Sequence, residues 1–354
     1  MIRKKSRREE SLDHAELARL LPAPGDPHLS LDRHLLLEEH LMNEIQPTAP
    51  APAPSRRPAR RALLIGVPVT AAALAGAFAF TTLAGSGGSG TTTATPPPVE
   101  APVVPIEPGS TAQLASTVEH IAAAASASKT PEPGPGQYIY IKSKVSYLSV
   151  SHTDTDKPKT WVQPLHIRET WNSPDDKQGW LDEPGYQPKG GITLDSDVEN
   201  HLGAPSYDYL KTLPTDPDAL LKKIYKETKG QGNSPDQQAF TTVGDLLMEQ
   251  VAPAKLNAAL YRAAAKIPGV VVVDHAKDAA GREGIALARL DQQTGDRTEW
   301  IFDPKTYTYL GSRAVQVKQV DDIKPGTVTE STAVLERAVV DAQKQRPGAH
   351  GADA

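Results

Sequence analysis

Cysteine is absent from all 354 residues. That removes disulfides, thiolate zinc sites, cysteine nucleophiles and a lipid anchor on cysteine from consideration. Aromatics are sparse at 5%, with four Phe and four Trp. Neither sign of charge dominates: 38 Lys and Arg stand against 43 Asp and Glu, for a net charge of -5. Such a balance argues against direct, wholesale nucleic-acid binding. Known catalytic signatures are missing as well. There is no phosphate-binding Gly-rich loop, no Gly-x-Ser-x-Gly elbow and no His-Glu-x-x-His helix. What is plentiful is Pro (32) and Gly (26), the composition of a folded part joined by linkers.

One long apolar run stands out, Ala62 to Ala84 (ALLIGVPVTAAALAGAFAFTTLA), with no charge over 23 residues. As a helix it extends roughly 34 Å, enough for a hydrocarbon core of ~30 Å. Pro68 inside it is tolerated in a span, where neighbouring groups re-satisfy the backbone. Arg56, Arg57, Arg60 and Arg61 stand immediately before it, and no charge follows until Glu100. The positive-inside rule then predicts a cell-membrane protein with a cytoplasmic N-terminus and everything after about residue 85 outside. A cleaved secretory signal is disfavoured by the 61-residue charged leader. A twin-arginine signal at Arg60-Arg61 is the other competing reading.

Composition divides the chain into residues 1–46, polar with leucine periodicity; 47–61, a Pro/Arg-rich tether; 62–84, the span; 85–110, a Gly/Thr/Pro-rich linker; 111–341, a globular region; and 342–354, a disordered tail. A linker of ~25 residues reaches roughly 75 Å. In the cytoplasmic segment, LSLDRHLLLEEHLMNEI sets Leu31, Leu35, Met42 and Ile45 along one side of a helix that Ser30 can cap. A short helix on a flexible tether does not bury such a face by itself, so a protein partner is expected there. His34 and Glu38 are one turn apart, but no third ligand joins them, and a solvated helix face is the better reading. No metal or cofactor is expected.

Outside, Thr111 to Ser126 reads as an Ala-rich helix. Gln137 to Val150 and Thr160 to Trp171 alternate with period two, and Gln178 to Leu181 is a third short strand. Residues 184–216 read as a surface excursion. Helices follow at Pro217 to Lys229, Asp236 to Gln250 and Pro253 to Ile267, the first capped by Asp216 or Thr215. Strands follow at Val270 to Asp274, Ile285 to Leu290, Thr298 to Asp303 and Tyr307 to Val317. The run Ser331 to Val340 fits strand or helix. Segregated helices and hairpin-linked strands make the fold class α+β, an antiparallel sheet with packed helices.

Several segments together, LPTDPDALLKKIY (213–225), FTTVGDLLMEQVAP (240–253), LYRAAAKIPGVVVVD (260–274) and WIFDPKTYTYLGSR (300–313), resemble an actinobacterial family of single-pass membrane proteins without an assigned activity, often encoded beside extracytoplasmic-function sigma factors. The N-terminal LARLLPAPGDPHLSLDRHLLLEEHLMNEI is similar to the start of that family. The resemblance implies an anti-sigma-like regulator whose cytoplasmic helices bind a sigma factor. The zinc-type His-x3-Cys-x2-Cys cluster of anti-sigma factors is absent, so any such binding is metal-free. In broad plan the outer region also looks similar to lipoprotein-carrier and periplasmic sensor folds, whose curved sheet covers helices.

Turn-placed carboxylates such as Asp175 and Asp176 fit backbone-capping roles, and no catalytic residue is expected. Tyr138 and Tyr140 share one strand face and, with Trp161, are candidates to line a groove for an apolar or peptide ligand. The alternative function is therefore an envelope lipid- or peptide-binding carrier with a passive membrane anchor.

Overall fold

The computed structural model describes residues 96–97, 99–129, 132–153, 156–248 and 251–348. The expected cytoplasmic helices with Leu31, Leu35, Met42 and Ile45, the arginines at 56, 57, 60 and 61, and the run 62–84 lie outside the described residues. Among the described residues no helix is long and apolar enough to cross a membrane.

The described region is α+β, built on an antiparallel sheet. Its strands are β1 (Gly109–Ser110), β2 (Tyr138–Thr153), β3 (Asp156–Val162), β4 (His166–Asn172), β5 (Gly179–Asp182), β6 (Ile192–Thr193), β7 (Val270–Lys277), β8 (Glu283–Leu290), β9 (Asp296–Phe302), β10 (Tyr309–Gln316) and β11 (Val328–Val340). They run in the order β1-β7-β8-β9-β10-β11-β2-β4-β5-β6, with β3 paired to the far end of β2. The helices are α1 (Leu114–Ser126), α2 (Tyr207–Leu210), α3 (Pro217–Glu227), α4 (Pro235–Met248) and α5 (Ala254–Ala264).

Local chemistry places these elements. Asp216 accepts from the Ala219 amide at 2.8 Å and Pro217 opens α3, so the cap and the pre-set φ coincide. Ser206 caps α2 in the same way through Tyr209. The run Thr160 to Trp171, expected as one strand, is two. Pro164 has no amide to give a ladder, and the chain breaks there into β3 and β4. Ser331 to Val340 resolves as strand, within β11, paired to β2 over nine residue pairs. β7 runs past Asp274 through a bulge in which His275 adopts φ 59°.

The two faces of the sheet are covered differently. On one face the helices close over β7 to β10 in a continuous apolar core that includes Leu220, Phe240, Leu260, Leu287, Trp300 and Phe302. Phe240 stacks on Trp300 with ring centroids 3.9 Å apart. Gly244 is required there, because a Cβ would come within 2.9 Å of the Trp300 indole nitrogen. Full burial of each large side chain of this kind contributes about 1.5–3 kcal/mol.

The back face is covered by irregular chain. Residues 99–110, expected as free linker, form a strap. Val99 bridges Val162, Val103 bridges Thr327, Arg297 donates to the Glu107 carbonyl at 2.6 Å, and Gly109 and Ser110 pair with β7. Beneath the strap the carboxylate of Glu299, fully buried, lies between Arg297 and Arg313 at 2.6 and 2.7 Å. Residues 341–348 close the other end of this face. The first residues of the expected disordered tail are thus seated on the sheet.

Candidate functional site

A cleft of about 760 Å³ opens where the C-terminal end of α1, the start of α5, the β9–β10 turn and the middle of β11 meet. Its floor is aromatic. Tyr261 meets Phe302 edge-on at 5.3 Å, and Phe302 meets Tyr309 at 5.7 Å. Arg337 reaches in from β11 with its guanidinium 5.5 Å from the Tyr309 ring centroid and donates to the Leu247 carbonyl at 2.8 Å. Burial pulls the Arg337 guanidinium below its ordinary value and pushes the Tyr261 and Tyr309 hydroxyls well up, so both tyrosines stay protonated.

The strand geometry behind the cleft has an identifiable cause. The register of β11 against β2 shifts between Val334 and Glu336, which turns Leu335 outward at the cleft wall, 42% exposed. Arg282 donates to the Val334 and Leu310 carbonyls at 3.0 and 2.8 Å while Asp278 holds its Nε at 2.6 Å. A guanidinium thus ties the bulged strand to its neighbour.

Tyr207 Oη and Asn257 Oδ1, both buried in the lining, find no hydrogen-bond partner among the described residues. Tyr207 is 2% exposed, and burial together with Glu132 and Asp208 raises its hydroxyl above the ordinary value. One is a ready donor and the other an acceptor, against a wall of Ala124, Ala125, Val251 and Leu335. Half-apolar walls with a few inward polar groups are what small-ligand and peptide sites use. No trio of His, Asp or Glu with metal-binding geometry occurs among the described residues.

The candidate residues from sequence fall elsewhere. Tyr140 is 1% exposed, packs with Trp171 and Val340, and donates to Glu169. Tyr138 is half-buried on the same face, its hydroxyl bonded to Gln178 at 2.7 Å. Trp161 lies on β3, paired to Ser149. The structure brings Tyr138 and Tyr140 together without Trp161, and none of the three lines the cleft. The residues that do line it were hidden in the sequence, because Asn257, Tyr261 and Arg337 sit in runs that read as ordinary amphipathic helix and strand.

No family model matches the chain, and no curated protein sequence matches it. Two solved structures are similar in part. One is described as the complex structure of Pseudomonas aeruginosa MucA/MucB, with 13% identity, a TM-score of 0.23, and coverage of 66% of this chain and 59% of that chain. The other is MucB in complex with MucA(peri), with 10% identity, a TM-score of 0.24, and coverage of 67% and 60%. The match thus spans about three fifths of the length of those chains.

Proposed function

We propose that the protein is a membrane-anchored binding protein with a regulatory output. The span at 62–84 holds it in the bilayer, the α+β region outside takes a ligand in the cleft, and the cytoplasmic segment presents Leu31, Leu35, Met42 and Ile45 to a sigma factor. The observation that carries the reading is the cleft itself, with a buried hydroxyl and a buried amide oxygen that have no partner among the described residues. The seated strap sharpens the geometry. With residues 99–110 on the sheet, the expected linker of 85–110 is shortened by the length of the strap.

The test uses the full chain in lipid nanodiscs. Native mass spectrometry should find a ligand on the wild type that is lost from Ala127→Trp, which fills the cleft mouth from an exposed position. Capture of a sigma factor should be lost from the Leu35→Asp/Met42→Asp variant. The same mass on both cleft forms, or unchanged capture, overturns the corresponding half. Ligand binding without any cytoplasmic capture would favour the second reading, a carrier on a passive anchor, which the size of the cleft supports equally.

A further inference from the structure

The back face of the sheet holds a second site that the cleft does not use. Glu169 on β4 is a carboxylate only 5% exposed, set beside Trp171 on its own strand and Trp180 on β5. Residues 341–346 lie across this groove. Arg346 forks onto Glu169 at 2.9 and 2.6 Å and approaches Asp182 at 3.6 Å. The Lys344 ammonium stands 3.3 Å from the Trp180 ring centroid, and the Trp171 indole donates to the Gln345 carbonyl at 2.6 Å.

These contacts are those of a peptide laid in a receptor rather than of a strand in a sheet. Each is made by a side chain of the groove or of the segment, and the segment's own backbone bond, from the Gln345 amide to the Ala342 carbonyl, is local. Lys344 adopts φ 70°, a left-handed conformation that side chains with a Cβ rarely take. The Arg346 side chain is 56% exposed although its acid partner is buried. An exposed cation on a strained segment is therefore the removable half, and the buried carboxylate is the fixed half. Without a guanidinium, Glu169 keeps the Tyr140 hydroxyl as its hydrogen-bond partner, which is poor compensation for a buried charge.

We propose that the groove formed by Glu169, Trp171, Trp180 and Asp182 is a receptor for a basic, extended protein segment with Lys and Arg two residues apart, and that residues 341–346 occupy it as a displaceable internal ligand. The buried acid selects a planar guanidinium through the two-point fork, and Trp180 selects a second cation beside it. A partner segment with the same pair competes with the tail for the groove, so this face binds only when the competitor outweighs an occupant tethered at high local concentration.

The probe is a fluorescein-labelled peptide of residues 342–348, AQKQRPG, and the receptor is the full chain. Lys344→Gln/Arg346→Gln in the full chain should bind it about tenfold or more tightly than wild type does, the step expected for removal of a competing charge-assisted fork. A chain ending at Val340 should behave the same way. Adding Glu169→Gln to the double variant should abolish the gain, as should replacing the peptide's Arg by Gln. The double variant keeps the chain at full length, so the test stands even where the truncated chain does not fold. Equal binding to wild type and double variant, absence of binding to both, or a gain that survives Glu169→Gln overturns the proposal. None of these outcomes depends on the cleft.

Discussion

The two faces of one sheet are stabilised by different means. On the helix face, cover comes from α1 and α3 to α5, whose apolar stripes meet β7 to β10 in a mainly apolar core, with the Arg289 and Arg337 guanidiniums reaching its edges to bond Gln237 and the Leu247 carbonyl. On the back face, cover comes from two irregular segments, residues 99–110 and 341–348, and charge is concentrated beneath them: Glu299 between two arginines, and Glu169 under Arg346. Apolar packing is non-directional and tolerates small shifts of an element. A buried ion pair tolerates little, since moving one partner leaves an uncompensated charge. The helix face should therefore act as the rigid frame, and the back face as the part whose cover responds to pH and to partners.

The largest effects test that division directly. Phe240→Ala removes the ring stacked on Trp300 at a position with no exposure and should cost about 3–5 kcal/mol, read as a lowered urea midpoint. Glu299→Ala should cost a similar ~3–5 kcal/mol, because Arg297 and Arg313 stay buried without their acid. The comparison lies in the rescue. Replacing Arg297, Glu299 and Arg313 together with apolar residues should restore much of the loss, as paired burial is close to neutral. No companion mutation outside the cavity should rescue Phe240→Ala. If both behave alike, the two faces do not differ in the way described.

This difference explains what the sequence made legible. Period-two runs and the Asp216-Pro217 cap revealed most strands and helices, because those signals are local. The split at Pro164 was readable from the missing amide alone, and the alternation on both sides of it masked the break. Nothing local in VEAPVVPIEPGS or DAQKQRPG marks a seated cover, since both are Pro- or Gly-containing polar segments held by distant partners such as Arg297 and Trp171. The cleft was illegible for the same reason. Tyr207, Asn257 and Arg337 come from a short helix, a longer helix and a strand that only the folded chain brings together.

A middle-sized effect tests the pH response. Burial, with Asp291 and Glu299 nearby, pushes Asp296 up to about 6, above its usual value of 3.8. A carboxyl whose folded value is raised binds its proton more tightly in the folded state. Its contribution is therefore most favourable below about pH 4 and declines as pH rises through about 6. Asp296→Asn should flatten that decline and stabilise the protein at pH 7 by about 1–2 kcal/mol, read as the difference between urea midpoints at pH 4.5 and 7. A variant that keeps the wild-type slope would place the response on another group.

The smallest effects belong to the rim of the helix face, where charge is present but wet. Asp216→Ala removes the α3 cap and should cost about 1 kcal/mol, without altering pH dependence near neutrality. Arg262 forks onto Glu119 between α5 and α1 at 3.0 and 2.8 Å, a geometry as good as that of Arg346 on Glu169. Yet Glu119 is 60% exposed, so water and salt screen the pair. Arg262→Gln should cost only about 0.5 kcal/mol at low salt and nothing measurable at high salt. Arg346→Gln, made on the same fork geometry over a buried acid, should cost more and keep its cost in salt. Thermal unfolding of the two variants at low and high ionic strength separates fork geometry from burial, and equal salt sensitivity would mean that Glu169 is as solvated as Glu119.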